Sequence, residues 1–147
     1  MQTLTTPLQF FNEVVAPDVA AFEKDPHSVR LAIHAVASLH HLRDWVFKAQ
    51  PDIDKEERKR QREELLQCDA IKEIRELASN AKHFPPDQAE LRRFFFSAPA
   101  APSPLRPTWP EIFAETVDGA DISLRLVVRE AFEFWQGKVN KGEWGLK

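Results

Sequence analysis

Glycine is scarce in this sequence, and its positions exclude the common nucleotide-binding loops. All four glycines lie in the last quarter of the chain, at Gly119, Gly137, Gly142 and Gly145. Phosphate-binding loops need glycine where the backbone approaches the ligand. Residues 1–118 therefore cannot form a P-loop or a dinucleotide-binding fingerprint, and we expect no nucleotide cofactor and no other cofactor.

Cysteine, tyrosine and long apolar runs are also rare or missing. Cys68 is the only cysteine, which excludes an internal disulfide and a cysteine-based zinc cluster. There is no tyrosine to act as an acid or a nucleophile. No run approaches the ~18 apolar residues of a membrane span, and the N-terminus lacks the basic start and apolar core of an export signal. We therefore predict a cytoplasmic protein with no membrane partner.

The size and charge of the chain are those of an ordinary globular domain. A length of 147 residues with a hydrophobic share of 43% is enough for one core. The net charge of -3 argues against a dominant electrostatic attraction to nucleic acid, but it leaves room for a local basic patch.

Residues 25–50 predict a long central helix around which the rest of the chain is arranged. Asp25 is a good N-cap, Pro26 suits the first helical position, and Pro51 ends the helix. Apolar residues at helical spacing cover more than one stripe, which predicts a helix inside a bundle. These residues are Val29, Ala32, Ile33, Val36, Leu39, Leu42 and Val46.

Three further helices flank the central one. A first helix should run from Pro7 to Lys24, with a kink or a break at Pro17. A charged helix should begin after Asp54 and continue as an apolar stripe to about residue 84, with a break near 67–69. The last helix should cover 124–139, followed by a frayed tail.

The stretch between the last two helices has a different character. The aromatic run 91–96 predicts a strand, with a helix begun at Asp87 as the alternative. Residues 97–110 are rich in proline and predict an irregular connection. Asp118 and Gly119 predict a tight turn between strands at 112–117 and 120–123.

Together these patterns predict one domain over residues 1–147, and it should be mainly α. We expect an antiparallel helical bundle of about four helices with a short C-terminal strand pair like a β-hairpin, which is α+β with helix dominant.

A seam of polar and aromatic residues follows one side of the central helix, at His34, Ser38, His41 and Trp45. His34 and His41 are two turns apart, about 10 Å at 1.5 Å per residue, so they cannot ligate one metal ion. We therefore predict no metal site. Asp44 is within one turn of both His40 and His41 and could orient an imidazole. The seam is a satisfied structural feature or part of an active site. The third and least favoured alternative is a metal site that draws ligands from several elements.

A second set of candidate site residues lies near the end of the following helix. Glu76, Asn80 and His83 share one helix face, and Arg75 lies directly before Glu76 in the sequence. If this face meets His34 and His41, the side chains form a polar pocket. The alternative is that Asn80 and His83 cap the helix end and bond to backbone carbonyls there.

The segment from Arg75 to His83, in a helical setting, resembles HEPN-type helical domains, many of which are RNA-cutting toxins or defence proteins. Those domains carry an arginine, a short spacer and a histidine near a helix end, and they usually dimerise around a composite site. Seven residues separate Arg75 from His83 here, slightly more than in that pattern. The resemblance implies a metal-independent ribonuclease in which His83 transfers a proton and Arg75 holds the phosphate charge. Asn80 would lie in the site, and His34 or His41 would assist.

A longer resemblance is to a group of small uncharacterised bacterial proteins. It covers His-Leu-Arg-Asp-Trp-Val-Phe at 41–47, Asn-Ala-Lys-His-Phe at 80–84, the Asp-Gly hairpin and Val-Arg-Glu-Ala-Phe-Glu-Phe-Trp at 128–135. This resemblance implies a shared fold and a bacterial source.

The sequence therefore leaves two functional hypotheses. The first is an uncharacterised helical interaction module without assignable catalysis, which self-associates as a homo-oligomer, most simply a dimer, and binds RNA or a protein partner. Clustered aromatics would serve as core or dimer contact, or would stack on single-stranded bases. The second is the HEPN-like ribonuclease that uses Arg75 and His83.

Overall fold

The computed structural model describes residues 3–82, 94–97, 111–115 and 121–147, and for Asn80 to Lys82 and most strand residues it describes the backbone alone. Within these ranges the protein is mainly helical, which confirms the predicted fold class at that level. No described helix combines the length and hydrophobicity that a membrane span requires.

The N-terminal helical segment changes its winding just before Pro17. It consists of α1 (Pro7–Phe10), a π-helical turn (Phe11–Val15) and α2 (Ala16–Lys24). In the π-helical turn the Ala16 N–H donates to the Phe11 carbonyl five residues earlier. Proline has no N–H, and its ring clashes with a carbonyl of the preceding turn in a regular helix. The interruption predicted at Pro17 therefore takes the form of one wider turn directly before it.

The central helix α3 (Val29–Lys48) begins later than predicted. Its N-cap is Ser28, whose hydroxyl accepts a hydrogen bond from the Leu31 N–H at 3.3 Å. The prediction that Asp25 caps this helix is wrong, because Asp25 instead ends α2 with φ -134° and ψ 73°. A residue before proline is driven away from helical geometry, so Asp25 and Pro26 form the connection between the two helices.

The next two helices meet at a sharp break. Asp54 caps α4 (Lys55–Gln67) through a 2.7 Å hydrogen bond from the Glu57 N–H. Cys68 is extended, with φ -88° and ψ 109°, and α5 (Asp69–Lys82) starts immediately after it. This confirms the break predicted at 67–69.

Three short strands precede the last helix. They are β1 (Phe94–Ser97), β2 (Glu111–Glu115) and β3 (Asp121–Ser123). The strand β2 lies between the other two and pairs antiparallel with both. The predicted Asp118–Gly119 turn and the proline-rich connection beyond Ser97 lie outside the described residues.

The strand β3 leads directly into α6 (Leu124–Lys141), which Ser123 caps. The helix α3 contacts α2, α5 and α6, and these helices enclose the core. Gly142 ends α6 in the left-handed conformation at φ 63°. The prediction of a frayed tail is wrong, because Trp144 and Leu146 pack into the core with 8% and 1% exposure.

Candidate functional site

A cavity with a basic rim lies between α3, α4 and α5 and reaches down to α6. Its volume is about 90 Å³. Five basic side chains line this basic cavity, namely His40, Arg43, Arg62, Lys72 and Arg75. Its other lining residues are apolar: Leu39, Leu65, Leu66, Ile71, Ile74 and Trp135.

Helix geometry explains why the basic residues meet there. His40 and Arg43 are three residues apart on α3, and Lys72 and Arg75 have the same spacing on α5, so each pair lies on one helix face. Because α3 and α5 pack against each other, the two pairs lie on opposite sides of the same cavity. Arg62 comes from α4.

A more open groove continues from the cavity toward the end of α3. It shares Arg43 and Arg62 with the basic cavity and adds Asp44, Phe47, Lys48, Pro51 and Arg58. We call this second depression the outer groove, and the two together the basic surface. Six lysine or arginine residues and His40 line the basic surface, whereas Asp44 is the single acidic residue among its described lining residues.

Several of these cations already have partners near the surface. Lys72 Nζ lies 3.0 Å from Asp69 Oδ1, and Arg75 Nη2 donates to Glu76 Oε1 at 3.0 Å. Exposed ion pairs of this kind contribute little to stability, so a bound anion can replace the carboxylate at small cost. The Arg62 guanidinium lies over the Phe47 ring, 5.7 Å from its centroid, which holds this cation beside the groove.

The surroundings of His40 shift the pKa of its side chain. Burial lowers the pKa of its imidazole, and the nearby Arg43 guanidinium lowers the pKa further. Asp44 raises that pKa, but the net shift is downward from 6.5. The His40 imidazole is therefore neutral at pH 7 and can accept a proton.

Two N–H groups of lining residues have no acceptor. Arg43 Nε and Trp135 Nε1 are both buried, and neither has a hydrogen-bond partner in the described part of the chain. A buried donor without an acceptor costs free energy. Both atoms are enclosed by neighbouring protein atoms.

Neither His34 nor His41 lines the basic cavity. His34 and His41 are both exposed. His41 lines a different depression, with Phe10, Asp44, Trp45 and Lys48, where the Trp45 ring stacks on Phe10 at 5.0 Å. Arg75 instead lines the basic cavity with His40.

Ser38 of the seam forms a hydrogen bond within α3. Ser38 is buried, and its hydroxyl donates to the Ala35 carbonyl at 3.2 Å, an ordinary bond within the helix. Asp44 Oδ1 lies 3.7 Å from Arg43 Nη2. Asn80 is described only by its backbone, and His83 lies outside the described residues. The pocket that would combine them with His34 and His41 stays a prediction.

Four residues that line the basic cavity are not among the predicted site residues, namely His40, Arg43, Arg62 and Lys72. Of these, the sequence pointed only to His40, as an imidazole near Asp44. His40 and His41 differ by about 100° around a helix with 3.6 residues per turn, so their side chains lie on different faces of α3. The available signal was the matched spacing of basic pairs, at 40 and 43 on α3 and at 72 and 75 on α5. The seam of His41 and Trp45 was more conspicuous because it contains aromatic residues.

The residues present at the site set limits on its chemistry. In the described ranges, no group of three or more histidine, cysteine or carboxylate side chains could hold a metal ion. The arrangement suits the binding of anions, and the neutral His40 adds a group that can move a proton. Comparison with models of known protein families, with curated protein sequences and with solved structures found no match to this chain.

Proposed function

We propose that this protein is a helical interaction module without catalysis of its own, and that it binds a negatively charged partner at the basic surface. One observation carries the proposal. Six lysine or arginine side chains line the basic surface, against one described carboxylate, in a chain whose net charge is -3. For the chain as a whole we propose an antiparallel helical bundle with the hairpin-like pair of β2 and β3 attached, since α3 contacts α2, α5 and α6.

The side chains at the basic surface support this proposal because they are mainly arginine. An arginine guanidinium presents a planar set of donors that matches carboxylate and phosphate groups. A local cluster of positive charge also steers an anionic partner toward the surface, even when the rest of the protein is acidic. Phe47 beside Arg62 adds an aromatic face to the outer groove.

The test is a binding titration with two labelled probes, a single-stranded oligonucleotide and polyglutamate, at several salt concentrations. Lys48 and Arg62 are exposed, so a Lys48→Glu/Arg62→Glu variant should fold normally and lose at least about tenfold in affinity. A matched control is Lys55→Glu/Lys59→Glu, which makes the same charge change on exposed residues of α4 outside the basic surface.

The control variant should bind within about twofold of the original protein, apart from the general effect of net charge. If neither probe binds at low salt, or if both double variants weaken binding equally, the proposal is wrong. Binding of the oligonucleotide alone would assign RNA or DNA as the partner class, and binding of polyglutamate alone would assign an acidic protein segment.

We propose further that the module self-associates through exposed apolar side chains. Val29 and Ile33 lie one turn apart on α3 with 37% and 38% exposure, and Leu126 on α6 is 48% exposed. Sedimentation velocity of the purified protein should show a dimer that Ile33→Glu converts to a monomer. A monomer at all concentrations would contradict this part of the proposal.

The second candidate function is the metal-independent ribonuclease, and one observation favours it. Arg75 shares the basic cavity with His40, whose pKa is lowered by burial and by Arg43. A neutral imidazole beside an arginine can take the proton of a ribose 2′-hydroxyl while the guanidinium holds the phosphate charge. Under the HEPN resemblance His83 would supply the second proton-transfer group.

This candidate is tested by incubating RNA with the protein in excess chelator. Cleavage should be abolished by His83→Ala and by Arg75→Gln, and it should fall at least about a hundredfold in His40→Ala if that imidazole is the base. RNA that stays intact at high protein concentration rejects the ribonuclease and leaves the binding module.

A further inference from the structure

We propose that the basic cavity is a specific site for a small anion, a carboxylate or a phosphate monoester, that carries a compact branched apolar group. The inference rests on the proposed function for the sign of the ligand's charge. The inference adds the chemical class of the ligand and places that ligand in the basic cavity. The outer groove does not take part in binding it.

The lining of the cavity is divided into a charged part and an apolar part. The three residues at its base, Leu39, Ile74 and Trp135, are at most 2% exposed and belong to the core. The basic side chains come from three different helices around this base. A free inorganic anion would leave the apolar base in contact with water, and an uncharged apolar ligand would leave the cations unused. A ligand with both parts satisfies both.

The size of the cavity limits the apolar part of the ligand. Its volume of about 90 Å³ is smaller than the ~150 Å³ of an engineered cavity that accommodates benzene. The cavity therefore suits an apolar group smaller than a benzene ring, such as isopropyl.

Arginine side chains favour a ligand that carries acceptor oxygens. Three arginines, Arg43, Arg62 and Arg75, line the cavity. Carboxylate and phosphate oxygens are strong acceptors and form the shortest hydrogen bonds with guanidinium groups.

Anion binding at this site should be coupled to protonation of His40. The charged or titratable groups that face this imidazole are His41, Arg43 and Asp44 on α3, Arg62 on α4, and Lys72 and Arg75 on α5, while α6 contributes the indole of Trp135. Cations predominate in this set, and burial also opposes a charge on the ring. An anion among them stabilises the imidazolium, so the complex takes up a proton and affinity rises as the pH falls.

The experiment is a ¹H–¹⁵N NMR titration of the whole protein that follows the indole Nε1–H signal of Trp135, assigned with a Trp135→Phe variant. The probes are isobutyrate, isobutyl phosphate, acetate and uncharged 2-methyl-1-propanol, at pH 5.5 and pH 8. Isobutyrate should shift the Trp135 signal saturably and bind about tenfold tighter than acetate, since it buries two more carbon atoms. Its carboxylate is mostly ionised at pH 5.5 and the protonated fraction would only weaken binding, so tighter binding at pH 5.5 reports His40.

Three variants locate the site. Arg75→Gln and Lys72→Gln, both at the cavity and not in the outer groove, should each weaken isobutyrate binding at least about threefold. Lys48→Gln, in the outer groove and not in the cavity, should leave it unchanged. His40→Gln should remove the difference between pH 5.5 and pH 8. A tighter complex with isobutyl phosphate than with isobutyrate assigns the phosphate class, and the reverse assigns the carboxylate class.

The inference is overturned if neither anion moves the Trp135 signal, if acetate binds as tightly as isobutyrate, or if Lys48→Gln weakens binding as much as Arg75→Gln. None of these outcomes decides whether the proposed function is correct. Polyanion binding that persists without isobutyrate binding keeps the interaction module and removes the small-anion site. Isobutyrate binding without polyanion binding keeps the small-anion site and removes the interaction module.

Discussion

Glu57 shows how neighbouring donors fix the charge of one side chain. Arg60 donates two hydrogen bonds of 2.8 Å to its two carboxylate oxygens, and Gln61 donates a third of 3.0 Å. Hydrogen bonds to the ionised form favour it, so the pKa of Glu57 falls from 4.5 to about 2, with Arg60 as the largest cause. The lowered pKa means that Glu57 contributes stability that is present above pH 4.5 and lost as the pH falls toward 2.

We therefore expect the Glu57 carboxyl carbon to titrate with a midpoint of about 2 in a ¹³C NMR experiment on the folded protein. Arg60→Ala should move that midpoint upward, because it removes two of the three donors. A midpoint near 4.5 in the original protein would contradict the hydrogen-bonded geometry.

Lys138 is a buried lysine that connects three parts of the chain. Its ammonium bonds to Glu64 of α4 and to Glu143 after α6, and it lies 4.1 Å from the centroid of the Trp144 ring. Burial alone lowers the pKa of Lys138, but the hydrogen bonds to Glu143 and Glu64 outweigh it and the net shift is upward from 10.5. The part of the stabilisation that depends on the Lys138 charge is therefore lost as the pH rises through the raised pKa. At the acidic end, Lys138 lowers the pKa of Glu143, and the interaction is lost as the pH falls through that lowered pKa.

Replacing Lys138 with methionine keeps the apolar stem and removes the charge. We expect Lys138→Met to lower the free energy of unfolding by about 1.5–3 kcal/mol at pH 7, the range for hydrogen bonds to charged groups. Urea denaturation measures this value. Lys141→Met, at an exposed position of the same helix, should change stability by less than about 0.5 kcal/mol. Equal effects of the two variants would show that Lys138 acts only as a surface charge.

Among the helices α2 to α6, α4 has the fewest buried apolar residues in the described part of the chain. Leu65 is its one buried apolar residue, and Gln61, at 2% exposure, is its other buried residue. Gln61 and Gln50 exchange two amide hydrogen bonds of 3.0 and 3.1 Å, which fix α4 to the end of α3. A helix held by so few apolar contacts should open locally before the core does.

Gln61→Leu tests this attachment. The substitution leaves the Gln50 amide without its partner, so we expect a loss of about 1–3 kcal/mol in stability. Amide hydrogen exchange in α4 should become faster while α3 stays protected. Gln67→Leu changes an exposed glutamine of the same helix and should leave exchange in α4 unchanged. Uniform loss of protection in α3 and α4 after Gln61→Leu would show that α4 unfolds only with the core.

The elements themselves were largely predictable from the sequence, and their ends were not. Apolar spacing and proline positions place the helices, because both act locally along the chain. The start of α3 was missed because Asp25 could cap a helix or end one, and its proline neighbour favours the second use. The π-helical turn before Pro17 has no sequence pattern of its own, since it arises when a longer helix accommodates the proline.

The site was less predictable than the elements, because it depends on how whole helices face each other. The spacing of Arg75 on α5 and of His40 on α3 can be read from the sequence, but which face of α3 meets α5 cannot. If α3 were rotated about its axis by the angle between successive residues, about 100°, His41 would replace His40 at the contact with α5. Arg62 joins the cavity only because α4 folds back at Cys68, a tertiary event that spacing does not encode.

The C-terminal residues complete the core from a distant part of the chain. Trp144 packs edge-to-face on Trp135 at 6.1 Å, and Leu146, at 1% exposure, belongs to the same core cluster as the N-terminal helices. Trp144 adopts φ 55°, a conformation that costs a bulky residue free energy. The surrounding contacts must supply that free energy, so the tail is a fixed part of the fold and not a frayed end.

Leu146→Ala should therefore destabilise the whole molecule, although it lies one residue from the last position of the described chain. Removing three buried carbon atoms from a closed core costs about 2–5 kcal/mol. Thermal unfolding should remain a single transition at lower temperature, because the side chain packs into the common core. Lys147→Ala, at the exposed neighbouring position, should have no measurable effect. If Leu146→Ala matches the control, the Leu146 side chain does not take part in the core.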